Sequence, residues 1–289
     1  MSAPTTPIDA ALLARLPLPP VTGAKDARGR VVVLGGARPT VGAALLAGIA
    51  TLRVGAGRLT LVVDEAAATP AAVAVLEAGV LTWSQARGCD DEALDELAGA
   101  DAVLVGPGLA DPEHSMRLLR QVVGTTEPHV PLLLDAFALG VLADADDLQE
   151  HVRGRTVLTP NGAELDRLLG DDRPSDEREA AARLASELDA VVVAASAVAT
   201  PAGDVLAGDA ATPGLGTSGS GDVLAGAVAG LLAAGMPRVD AAAWGVALHT
   251  GAGARLSHEC GAVGYLAREV ADALPAVRQR LAAAAHAAG

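Results

Sequence analysis

The chain has 289 residues, 51% hydrophobic and 19% charged, a composition that can bury a substantial core and excludes a disordered chain. A net charge of −14 offers no basic face to a nucleic-acid backbone or an anionic membrane surface, so neither is expected as a partner. Cys89 and Cys260, the two cysteines, cannot alone build a disulfide framework or a four-ligand zinc site, and they suit a reducing compartment.

Residues 1–24 read as a Pro-rich arm with one helical stretch over Ile8 to Leu16. This start lacks the basic opening and unbroken apolar run of a secretory signal. No stretch supplies the ~18 apolar residues of a membrane span. A cytoplasmic protein is expected. Residues 25–289 are expected to form one domain.

From Lys25 onward, short β-branched runs alternate with longer Ala/Leu segments. The runs Val31–Leu34, Leu59–Val63, Ala102–Val105, Leu132–Leu134, Thr156–Leu158 and Val191–Ala194 are expected as strands. Residues 41–54, 67–77, 91–98, 112–123 and 177–188 are expected as helices. Strands that are apolar throughout suit a parallel sheet covered on both faces, and the alternation predicts a doubly wound α/β fold. Ala197–Thr200, the turn Pro201-Ala202-Gly203-Asp204 and Val205–Leu206 predict an antiparallel hairpin at one edge. Helices are expected over 222–235, 239–256 and 266–287. The core must come from Ala, Val and Leu, because Phe137, Tyr265, Trp83 and Trp244 are the only aromatic residues.

The strongest local signal is Gly214-Leu215-Gly216-Thr217-Ser218-Gly219-Ser220-Gly221-Asp222, running straight into a small-residue helix. Glycines let backbone N–H groups face a ligand, and a helix N-terminus favours an anion, so this segment suits a phosphate. A flexible loop with Asp222 as an ordinary helix cap is the competing reading. The segment is not a Walker loop, which needs a lysine after its last glycine, whereas Lys25 is the one lysine here. Four other loops follow expected strands and carry small or polar residues: Gly35-Gly36 to Ala44, Gly106-Pro107-Gly108, Asp135-Ala136, and Thr159-Pro160-Asn161 to Glu164. Asn161 and Glu164 also have capping-box spacing, which would account for both without a ligand. In a parallel sheet all five loops share the carboxyl edge, where open α/β sheets bind ligands. Their convergence suggests a phosphate-bearing ligand. His249 and His258 lie on a late apolar helix and are read as packed side chains.

The order of Val33-Leu34-Gly35-Gly36, Val41-Gly42-Ala43-Ala44, Gly106-Pro107-Gly108, Leu134-Asp135-Ala136, Leu158-Thr159-Pro160, Glu164 and Gly219-Ser220-Gly221-Asp222-Val223-Leu224-Ala225-Gly226 resembles the ribokinase-like superfamily. Within it, the chain resembles the ADP-dependent NAD(P)H-hydrate dehydratases, from about Lys25 to about Pro275. The resemblance implies a ribokinase-like fold and the repair of hydrated NADH or NADPH. A nucleotide, ADP or ATP, phosphorylates the ring hydroxyl, and loss of phosphate restores the double bond. It implies Asp222 as the catalytic base, and Ala43, Gly108, Asn161 and Asp222 around the dinucleotide substrate. It further implies Ala195, Ser196, Ala199, Gly219, Ser220 and Gly221 around the nucleotide, Mg²⁺ on the phosphates with Glu164 reaching it through water, and a homo-oligomer, a tetramer in relatives. Asp222, at a helix N-terminus, is expected to be a weak base at rest, which a late proton transfer tolerates.

Four positions depart from the family pattern. Asn161 stands where the family has His, Ala195-Ser196 where it has Lys-Gly, Phe137 where it has the second Asp of Asp-Ala-Asp, and Ser218-Gly219 where it has a double glycine. Thr159-Pro160-Asn161…Glu164 also looks like some vitamin-precursor kinases, so a kinase of a small hydroxymethyl compound is one alternative. A homologue that binds nucleotide without turnover is the other.

Overall fold

Apolar runs with no polar face must be covered on both sides, and the computed structural model, which describes residues 5–20 and 23–289, covers them so. In chain order its first half comprises β1 (Thr5–Pro7), α1 (Ala10–Arg15), β2 (Arg30–Leu34), α2 (Val41–Arg53), β3 (Arg58–Asp64), α3 (Ala68–Ala74), β4 (Gly79–Ser84), β5 (Gly88–Cys89), α4 (Asp91–Ala98), β6 (Ala102–Val105) and α5 (Pro112–Thr125). Its second half comprises β7 (Leu132–Leu134), α6 (Phe137–Leu142), α7 (Asp146–Val152), β8 (Thr156–Leu158), α8 (Gly162–Leu169), α9 (Glu177–Leu188), β9 (Val191–Ala194), β10 (Ala197–Ala199), β11 (Val205–Ala207), α10 (Ser220–Ala233), α11 (Arg238–Cys260) and α12 (Ala267–Ala288).

The strands form one sheet in the order β1-β11-β10-β9-β8-β7-β6-β2-β3-β4-β5. From β9 to β4 every neighbouring pair is parallel. β10 is antiparallel to both β9 and β11, so the expected hairpin is present. It is not outermost, because β1 pairs in parallel with β11. Side chains alternate between two cores. Val31 and Val33 join one, with residues of α2, α10, α11 and α12, while Val32 and Leu34 join the other, with residues of α4 to α9.

The first core is built from small residues at close range. At Gly226 on α10 an added Cβ would fall 2.0 Å from the Ala47 carbonyl oxygen of α2, so the helix backbones meet where only glycine fits. The N-terminal residues are tied to this layer. The Trp244 indole N–H donates to the Leu16 carbonyl at 2.6 Å, and α1 rests on α12. The expected arm also included residues 1–4, 21 and 22, which lie outside the described residues.

The expected strands and helices all occur, most with ends displaced by a residue or two; the helix expected over 67–77 ends at Ala74. Strands β1, β4 and β5 and helices α6 and α7 were not anticipated, and α8 was signalled only by the capping-box spacing of Asn161 and Glu164. β4 is half-buried along most of its length, so it lacks the continuous apolar run that marks the inner strands. Helix α6 follows the end of β7 and α7 follows α6 directly, and at six and seven residues each is too short to show a helical period.

Candidate active site

The chain order reverses between β2 and β6: β3 and β4 continue on one side of β2, and β6 to β9 on the other. A crevice at this switch point is where open α/β sheets bind ligands. The loops that follow β2 and β6 are knitted together there. Gly36 N–H donates to Pro107 O and Ala37 N–H to Gly108 O, both at 2.8 Å, and the Thr40 hydroxyl donates to Gly108 O at 2.7 Å. Trp83, buried on β4, donates its indole N–H to Gly35 O at 2.7 Å and holds the first loop from behind. Ala43 lies in the first turn of α2 beside Gly108, as the Cβ-scale contact between them records.

Beside this crevice, α10 begins. Gly219 precedes the helix at φ +89, a left-handed conformation that leaves α10 without a side-chain cap. Ser220 N–H donates to Thr217 O at 3.2 Å, whereas the amides of Gly219, Gly221 and Asp222 have no acceptor among the described residues. Unsatisfied amides at a helix start are an anion-binding array. The amides left without an acceptor at this helix start are thus those of Gly219, Gly221 and Asp222. The amide of Ser220, expected among them, is turned back into its own loop.

Asp222 sits in the first turn of α10, half-buried. The expectation that its helix end makes it a weak base is overturned: burial, with a smaller contribution from the charge of Asp135, pushes its carboxyl up to about 7. Desolvation of a carboxylate moves its pKa by up to several units, whereas a helix end is worth about 0.3–1 kcal/mol. Asp135 is buried at the end of β7 and accepts from the Thr159 hydroxyl at 2.7 Å. Burial pushes it up to about 6, against that hydrogen bond and one from the Ala136 backbone. Glu164 is raised, first by burial and also by the Asp135 charge, so Asp135 lies near both Glu164 and Asp222.

Asn161 and Glu164 form the capping box that their spacing predicted. Glu164 N–H donates to Asn161 Oδ1 at 3.0 Å and Asn161 N–H to Glu164 Oε2 at 2.8 Å. The Asn161 amide nitrogen and one Glu164 oxygen are not engaged by the box. Both residues line a cavity of about 250 Å³ with Ala136, Phe137 and Arg167. No group of three or more His, Cys, Asp or Glu side chains among the described residues is arranged to hold a metal. A larger cavity of about 620 Å³ opens at the opposite, amino edge of the sheet beside Arg155 and Arg238, remote from these groups.

Ala195 and Ser196 form the turn between β9 and β10, at φ +49 and +56. Positive φ at both central residues is the geometry of a tight hairpin turn. The turn lies at the carboxyl edge, as expected. Ala199 does not: it is buried inside β10, opposite Val192. The antiparallel return of β10 carries it away from that edge. His249, expected as a packed side chain, places its Nε2 2.8 Å from Ser220 Oγ and 3.0 Å from Ser220 O. No local pattern marks a histidine on α11 as the neighbour of a loop 29 residues earlier.

The fold is ribokinase-like. Arabidopsis thaliana ribokinase shares it at a TM-score of 0.59, with 88% of this chain and 98% of that one covered at 15% identity. An ADP/ATP-dependent NAD(P)H-hydrate dehydratase of Bacillus subtilis, crystallised with ATP and Mg²⁺, superposes at a TM-score of 0.80 over 97% of this chain and 100% of that one, at 24% identity. The model of the NAD(P)H-hydrate dehydratase family matches residues 31–276, and the chain belongs to that family. It is 38% identical to an ADP-dependent (S)-NAD(P)H-hydrate dehydratase of Xanthomonas campestris over 95% of this chain and 96% of that protein. It is 32% identical to the bifunctional NAD(P)H-hydrate repair enzyme of Escherichia coli, with 88% of this chain aligned and about half (48%) of the longer protein covered.

Proposed function

We propose that the protein dehydrates hydrated NADH or NADPH at the expense of ADP or ATP, restoring the reduced dinucleotide and releasing phosphate. The observation that carries this is Asp222: a half-buried carboxyl raised to about 7, beside amides that have no acceptor within the protein. A base poised near the working pH can take the proton of the ring hydroxyl as phosphoryl transfer proceeds. The amides of Gly219, Gly221 and Asp222 stabilise the charge on the transferring group, as an oxyanion hole does. The elimination that follows breaks the ring carbon–oxygen bond with phosphate as the leaving group, and the adjacent ring carbon gives up a proton as the double bond forms.

Ala43 and Gly108, at the knitted crevice, and Asn161, at the neighbouring cavity, fit the dinucleotide side. Ala195 and Ser196 fit the nucleotide side, at the next strand ends along the same edge. Glu164 would hold Mg²⁺ through a water, and the ion would supply screening of the phosphate charges. The same reading makes the protein a cytoplasmic homo-oligomer. Free Cys89 and Cys260 suit that compartment, and no helix among the described residues is long and apolar enough to cross a membrane. Sedimentation velocity is expected to give a mass above one chain.

The direct test mixes the protein with hydrated NADH, Mg²⁺ and ADP, then with ATP, and follows the return of reduced-nicotinamide absorbance. Recovery is expected, and Asp222→Asn is expected to lower kcat about 10²–10⁴-fold. No recovery with either nucleotide would sink the reading, and phosphorylation of a small alcohol instead would favour a kinase.

A further inference from the structure

Binding an anion through backbone amides demands that the loop carrying them be held in place, because about 1 Å of misplacement can cost about a hundredfold in rate. The usual device, a side chain at the N-cap, is missing at α10, since Gly219 occupies that position. Packing from Leu46 of α2 and Ala267 of α12 confines Gly219 from outside. The residue next to it, Ser220, is buried and is gripped from α11 by His249.

A carbonyl oxygen only accepts, so His249 Nε2, 3.0 Å from Ser220 O, must carry the hydrogen. The hydroxyl oxygen at 2.8 Å then shares that same N–H. The opposite tautomer would place a nitrogen lone pair against the carbonyl. Burial keeps the ring neutral, holding its pKa down to about 4, so the grip supplies direction rather than charge.

We propose that His249 is a positioning residue: through its Nε2–H bond to Ser220 it fixes the start of α10 so that the Gly219, Gly221 and Asp222 amides and the Asp222 carboxyl face one phosphoryl group. This rests on the dehydratase reading, and it predicts more than packing would. The required feature is an N–H at the reach of Nε2, which glutamine can supply and asparagine, one methylene shorter, cannot.

The test compares His249→Gln with His249→Asn in ADP binding by calorimetry and in dehydratase kinetics. His249→Asn is expected to weaken ADP binding and lower kcat by at least about tenfold, with KM for the hydrated dinucleotide within about twofold of wild type. His249→Gln is expected to stay within about threefold of wild type in both. Equal behaviour of the two variants, or wild-type ADP binding and kcat in His249→Asn, would overturn the proposal. A wild-type protein that binds ADP without turnover would overturn the dehydratase reading and leave the binding comparison to decide this one.

Discussion

At Asp222 two electrostatic effects oppose each other. The helix end favours the carboxylate; burial and the nearby Asp135 favour the acid, and they win. The base works only when ionised, so kcat/KM should fall as pH drops below about 7. Asp135→Asn removes a negative neighbour while its side-chain oxygen can still accept from Thr159. The acid limb of the pH–rate profile should then move to lower pH. An unmoved limb would mean that burial alone sets the value. Asp222 was legible as a candidate from its glycine loop. Its basicity was not, because the sequence says nothing about which carboxylates meet at the sheet edge.

Among the elements, the pairing of α2 with α10 decides where the glycine loop before α10 sits. Their contact depends on the missing side chain at Gly226. Gly226→Val should destabilise the protein by about 1–3 kcal/mol or more in urea unfolding, because the Ala47 backbone cannot retreat as a side-chain end would. Gly124, exposed near the end of α5 with nothing within 4 Å of an added Cβ, is the contrast. Gly124→Ala should raise stability by about 0.5–1 kcal/mol in the same measurement. The inner strands were readable because burial on both faces leaves an unbroken apolar signature. The half-buried β4 and the short α6 and α7 were not, because tertiary contacts rather than local periodicity define them. Asn161 and Glu164 were readable as a cap from spacing alone.

Across the whole molecule, segments distant in sequence close the small-residue core. Trp244 reaches back 228 residues to the Leu16 carbonyl. Trp244→Phe keeps the apolar ring and deletes this hydrogen bond. It should cost about 0.5–1.5 kcal/mol in unfolding free energy and speed proteolytic cleavage within the first 24 residues. Cleavage and stability equal to wild type would show that α1 packing on α12 suffices. The same long reach places His249 behind Ser220 and Trp83 behind Gly35, two supports of the site from elements that carry no recognisable motif.

The sequence alone determined the strand–helix alternation, and with it a parallel sheet whose loops share one edge. Backbone hydrogen-bond geometry and two-faced burial act through local residue patterns, so they can be read locally. It also marked Asp222 and its glycine loop as either an anion site or an ordinary helix cap, because both uses place small residues before a helix start. Only the tertiary structure decided which amides stay without an acceptor, that Asp135 stands near both Asp222 and Glu164, that Ala199 is carried off the edge, and that His249 grips Ser220. Each of these depends on distance and solvent exclusion between segments far apart in the chain, and those quantities exist only once the sheet and its two helical layers have closed.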